Sequence, residues 1–157
     1  MATTNITLFR SLLGEASKLG VRNGVPDAGM LDPRWEDSEY VDNRTKATKI
    51  SRADVRVVMG KSEPEVLDDG GGTSLHDVSG WFGGREFVIP EGTEYSDEIL
   101  IVKDDKKKTN PKGTVSGYHY QLTVRTRMTV LTFKGYLDNM ARAAAALQFK
   151  QARTTNK

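Results

Sequence analysis

Asp68-Asp69-Gly70-Gly71-Gly72-Thr73-Ser74-Leu75-His76-Asp77 lies near the middle of this 157-residue chain, upstream of Glu86-Phe87-Val88-Ile89-Pro90-Glu91-Gly92-Thr93. Three consecutive glycines open backbone conformations closed to other residues and let the chain approach a ligand closely. Thr73 and Ser74 then supply two hydroxyls and successive N–H groups, a device suited to holding a ribose or a phosphate. Read locally, Thr73 or Ser74 is an N-cap and a short helix is predicted over 73–79. On that helix His76 is a surface residue. Asp77 takes a structural role, in capping or in pairing with a basic residue.

Working outward, Asn5-Ile6-Thr7-Leu8-Phe9-Arg10 reads as a strand closed by an arginine. Ser11 is positioned to cap a helical stretch over 12–19, which Gly20 ends. Residues 20–50 hold Gly24, Pro26, Gly29 and Pro33 without a sustained period, and predict an ordered loop with a short helix near 35–41. So long an irregular stretch suggests a functional lid or binding loop. Strands are predicted over 53–59, 87–90 and 99–102, the last two flanking a turn at Glu91-Gly92, and 104–113 is a polar loop. From Val115 to Val124 the pattern alternates: Tyr118, Tyr120, Leu122 and Val124 form a core face, while Gly117, His119, Gln121 and Thr123 form a cleft face. Val130, Phe133, Leu137, Met140, Ala144 and Leu147 recur at helical spacing, and mark a long amphipathic helix fraying from about Ala152. Short strands with a helix near each end make an α+β fold, and the length suits a single domain over 1–157.

Composition narrows the chemistry. There is no cysteine, which excludes disulfides, thiolate catalysis and Cys-ligated zinc, and two histidines do not make a His-rich metal site. No metal is therefore expected. No apolar run approaches the length needed to span a bilayer, and Met1-Ala2-Thr3-Thr4-Asn5 does not open a conventional signal peptide. The net charge of +2 conceals an asymmetry. Residues 1–102 carry 11 Lys+Arg against 18 Asp+Glu (−7), and residues 103–157 carry 12 against 3 (+9). A basic C-terminal third suits nucleic acid, an acidic protein or a phosphate-bearing ligand, although Lys106-Lys107-Lys108 is equally read as a solvated loop.

The motifs together resemble a known family. A strand ending in Arg10, Gly71-Gly72-Thr73-Ser74 with Asp77 beyond it, Phe87-Val88-Ile89-Pro90-Glu91-Gly92-Thr93, a His119-Tyr120 strand and a terminal helix with Leu137-Asp138-Asn139 are similar to the ADP-ribosyltransferase-like toxins of type VI secretion effectors, which have bacterial and fungal relatives. The resemblance implies a split β-sandwich of two small antiparallel sheets with flanking helices and a long C-terminal helix, whose cleft binds NAD as substrate. It also implies that the Thr-Ser element sits on a strand. Arg10 would anchor the dinucleotide, with Gly72, Thr73, Ser74 and Tyr120 as further cofactor-binding residues. His119, Gln121 and Ser74 would be catalytic. Active transferases carry a late glutamate on the ribose, yet no Glu follows Glu98 here; His119 stands on the late strand in its place. Trp35, Trp81, Phe82 and Tyr95 are all candidates to stack a base, and spacing does not choose among them.

A toxin of this class implies a cognate immunity protein, an unidentified macromolecular acceptor, and delivery by a specialised secretion apparatus to a target-cell cytoplasm. The alternative is a catalytically inactive module of the same fold, binding protein or nucleic acid through its basic third. A third possibility is an enzyme of RNA 2′-phosphate removal, for which only Arg10 and His119 fit.

Overall fold

β-Branched and aromatic residues in short alternating runs build a five-stranded antiparallel sheet. In the computed structural model, which describes residues 1–155 with side chains as far as Arg153, its strands are β1 (Leu8–Ser11), β2 (Gly72–His76), β3 (Glu86–Ile89), β4 (Ile99–Lys103) and β5 (His119–Val124). Their order is β3-β1-β2-β5-β4, so β3 and β4, successive long strands in the chain, occupy opposite edges. A second sheet joins Met128–Thr129, Pro64–Val66 and Val57–Met59. Helix α1 spans Val130–Thr155. The fold is α+β, with several antiparallel sheets and one long C-terminal helix.

The register sorts side chains between two faces. Leu75 lies opposite Tyr120, and Thr73 opposite Leu122, on the face that joins the core. His76 lies opposite His119 and Ser74 opposite Gln121 on the other face. The alternation expected over β5 is realised through Leu122, with Tyr120 and Leu122 buried and His119 and Gln121 partly exposed, but it breaks at Thr123, which is buried like Val124, and Gly117 is also buried. Helix α1 closes the core with Phe133, Leu137, Met140 and Ala144, all with no exposed surface, and packs on β3 and on Glu94–Tyr95. Burying the three large side chains contributes roughly 2 kcal/mol each, which outweighs the ~1 kcal/mol cost of Gly135 inside the helix.

Several local expectations give way to tertiary pairing. No helix forms over 73–79: Gly72–His76 is a strand, held between β1 and β5. The Thr73 hydroxyl does not cap a helix but donates to the Leu31 carbonyl at 2.7 Å in the interior. His76 is consequently not a helix-surface residue; only 6% of it is exposed. The stretch 12–19 contains a single 3-10 helix, Gly14–Lys18, whose N-cap is Leu13 with no side-chain cap bond, so Ser11 does not cap it. Ser11 instead ends β1, opposite Glu86.

The short helix near 35–41 is replaced by a hairpin, Ser38–Val41 with Thr48–Ser51, and a smaller one pairs Val21–Arg22 with Val25–Pro26. The 53–59 strand is confined to Val57–Met59, and 104–113 includes Lys108–Thr109, paired with Ser116–Gly117. The fraying expected from Ala152 is not observed up to Thr155; its last two residues lie outside the described residues.

Candidate active site

β1 and β2 share one register pair, Phe9 with His76. One residue further on, the Arg10 guanidinium bridges the opening between the sheet and the loop after Gly29. Its Nη1 donates to the Ser74 carbonyl at 2.9 Å, and its Nη2 to the Asp32 carbonyl at 2.8 Å. Burial lowers the Arg10 pKa against an opposing pull from Asp54, and burial raises that of Asp32 against the attraction of Lys134. Arg10 Nε and Asp32 Oδ1 are buried without a hydrogen-bond partner.

Both residues face a cleft of about 750 Å³, within the usual range for small-molecule sites. Ser74, His76, Trp35, Phe82 and Tyr40 complete its principal walls. The loop that forms one wall is tied to the helix, since the Gly29 amide donates to Asp138 at 2.9 Å. Asp138 belongs to the Leu-Asp-Asn segment whose physical purpose the sequence does not disclose.

Ser74 Oγ lies 2.7 Å from His119 Nε2, and His119 Nδ1 lies 3.0 Å from Asp104 Oδ2. The two strands bring these residues together because Ser74 stands diagonally from His119 across one antiparallel pair, a separation that long side chains close. Next to His119 on the same rung is His76, with ring centroids 5.3 Å apart. His76 stacks on Trp81 at 4.0 Å and 14°. Burial, and then the neighbouring His119, hold the His76 pKa down at about 4 against an ordinary 6.5, so this imidazole is neutral at physiological pH. The Ser74–His119 hydrogen bond thus lies beside a second, uncharged imidazole.

Not every residue expected at the site assembles there. Arg10 and Ser74 line the cleft, and His119 bonds to Ser74. Gln121 lies opposite Ser74 on the same face of the sheet. Thr73 is fully buried on the core face, and a Cβ at Gly72 would overlap the Leu122 carbonyl oxygen. The close approach made by the glycine run is thus to protein backbone: Gly72 to β5, and Gly71 to the Asp54 carbonyl. Tyr120 lies on the core face and borders a separate hollow with Asn5, Tyr95 and Lys103. Its pKa is raised by burial.

The Phe87–Thr93 motif is a brace: the Thr4 and Thr93 hydroxyls both donate to the Pro90 carbonyl, at 2.8 and 2.6 Å. Among the four candidate aromatics, Trp81 is occupied by His76 and Trp35 meets Phe133 edge-on at 6.1 Å, while Phe82 is 43% exposed in the cleft wall. Asp77 is structural, accepting the Tyr118 amide at 2.8 Å. Asp104 carries no readable signal in the sequence, because its place beside His119 depends on which strand pairs with β5.

The profile of the Tse2 ADP-ribosyltransferase toxin family matches residues 5–149. The chain belongs to this family. No curated protein matches it. Among the described residues, no group of three or more His, Asp or Glu side chains is placed to hold a metal ion, and no helix is long and apolar enough to cross a membrane. In this Tse2-family chain an arginine stands one residue before the end of the first long strand and a serine lies on the next strand of the sheet.

Proposed function

We propose that this Tse2-family toxin binds NAD in the cleft between Arg10, Ser74 and Phe82 and transfers ADP-ribose to a macromolecular acceptor. The observation that carries this reading is the 2.7 Å bond between Ser74 and His119 at the wall of a cleft that also holds Arg10. The Arg10 guanidinium at the cleft wall supplies positive charge to a phosphate. Phe82 offers an aromatic face to one of the bases. Gly72 and Thr73 act through the position they give Ser74, and Gln121 flanks the reacting sugar.

In the reaction, the bond between ribose C1′ and the nicotinamide nitrogen breaks and nicotinamide leaves with the electron pair. An acceptor oxygen or nitrogen bonds to C1′, and its proton passes to His119 Nε2. With no Glu after Glu98, the proton acceptor is the imidazole, as its hydrogen bond with Ser74 supports. Tyr120, facing the core, acts by supporting β5. The toxin works in the cytoplasm of a target cell after delivery by a specialised secretion apparatus, and a cognate immunity protein blocks it by covering the cleft. The exposed Lys106–Lys108 run is a surface for an acidic or nucleic-acid partner.

Controlled expression in cells tests the reading, following growth, total NAD and labelled ADP-ribose on macromolecules for wild type, Ser74→Ala and His119→Ala. Arrest and label should both be lost in His119→Ala, with transfer reduced about 10²–10⁴-fold. Arrest by the wild type without NAD consumption or label would refute it. Arg10→Ala is a poorer probe, because Arg10 also ties Ser74 to Asp32.

A further inference from the structure

We propose that Asp104 is a positioning residue that fixes the proton of His119 on Nδ1, leaving Nε2 to accept from Ser74. This deepens the transferase reading and rests on it for its catalytic meaning, although the hydrogen-bond relay stands independently.

β4 pairs with β5 as far as Lys103 opposite Tyr120. The ladder then continues by one bond, because the Asp104 amide donates to the His119 carbonyl at 2.9 Å. Asp104 therefore stands opposite His119, and residues opposed across an antiparallel pair project from the same face at close range. His76 occupies the corresponding position on the other side of His119. One rung thus reads Phe9, His76 and His119 across three strands, with Asp104, the residue that follows β4, at its end.

The chemistry follows from donor and acceptor inventories. An ionised carboxylate only accepts, so the 3.0 Å contact with Asp104 Oδ2 requires a hydrogen on His119 Nδ1. In the neutral ring Nε2 is then the acceptor, and the 2.7 Å contact must be Ser74 Oγ–H donating to it. Asp104 also compensates the positive charge when the ring gains a proton. It does so from a partly buried position, with about a third of its side chain exposed and about a fifth of that of His119. A negative charge held behind the imidazole supplies at one remove what a carboxylate on the sugar would supply directly. His76 cannot compete for this place, since its ring is stacked on Trp81.

Nitrogen-15 NMR of the histidine ring in the intact protein tests this without reference to turnover. Wild-type His119 should show the Nδ1–H tautomer, and Asp104→Ala should move it toward the Nε2–H form that free imidazole side chains favour. In parallel, labelled ADP-ribose transfer by Asp104→Ala should fall about 10²-fold in kcat, with KM for NAD little changed. Asp104→Glu, which restores a carboxylate, should recover the Nδ1–H tautomer. An Nε2–H tautomer in the wild type would overturn the proposal, even if Asp104→Ala failed to fold. An unchanged tautomer in folded Asp104→Ala would do the same. If the wild type shows the Nδ1–H tautomer and Asp104→Ala loses it, yet neither transfers ADP-ribose, the relay stands and the transferase reading fails.

Discussion

The central sheet and the 20–51 segment both border the cleft, yet they are held in opposite ways. In the sheet, each site residue sits on a rung whose neighbours are prescribed by backbone pairing: Ser74 against Gln121, and His76 against His119. The hairpin of Ser38–Val41 and Thr48–Ser51 is exposed along nearly its whole length, with half of Tyr40 and half of Ile50 open to solvent. Its base is fastened by polar contacts at the surface, such as Asp37 with Arg52 and with the Ala53 amide, and Arg34 with Ser51 and the Arg52 carbonyl. Exposed contacts of this kind contribute little each. The sheet therefore sets the geometry of the chemistry, and the hairpin bounds access to it at small cost in stability.

Substitutions break this comparison most sharply where backbones touch. Gly72→Ala should destabilise the protein by about 3 kcal/mol, because the new methyl group overlaps the Leu122 carbonyl and must push β2 from β5. Urea unfolding should show a lower midpoint with an unchanged slope. A midpoint like that of the wild type would mean the two strands are not packed as described.

Acid should come next. The folded-state pKa of His76 is about 4 and its ordinary value 6.5, so the unfolded chain binds this proton first as the pH falls. Stability is then full above 6.5, declines between 6.5 and about 4, and loses no more from this group below that. A loss on the order of 2 kcal/mol is expected after allowing for solvent screening. His76→Phe keeps a ring against Trp81 and should flatten that part of the stability–pH curve. Equal acid sensitivity in both proteins would remove His76 as its source.

The hairpin should give the smallest effects. Ile50→Thr and Tyr40→Ser should each alter stability by less than about 0.5 kcal/mol. Tyr40→Ser should raise KM for NAD and leave kcat unchanged, the pattern of lost uniform binding, because Tyr40 lines the cleft and touches no proton relay. A collapse in kcat on steady-state assay would show that the hairpin does more than bound the cleft.

Much of the frame was legible in the residues themselves. The alternation through Tyr120, Leu122 and Val124 needs only the two-residue repeat of a strand, and the spacing from Val130 to Leu147 only the helical repeat. Arg10 near a strand end, and Ser74 and His119 on one face of the sheet, came from motif order and that same alternation. Where sequence misled, a local signal met a stronger non-local one. Thr-Ser after glycines is a good N-cap, but strand pairing on both sides and the bond from Thr73 to Leu31 outweigh the ~1 kcal/mol of a cap. Residues 35–41 lack strong propensity of either kind, so cross-strand pairing decided them.

The sequence by itself determined the α+β class, the long terminal helix, the polar face of β5 and membership in the Tse2 family, because these depend on periodicities and motifs written along the chain. Tertiary structure alone decided that Asp104 backs His119, that His76 is buried against Trp81, and that Thr73 turns into the interior. Each of those depends on which strand lies beside which and in what register. A shift of one residue would turn every side chain to the opposite face, and that choice is made by the packed sheet as a whole.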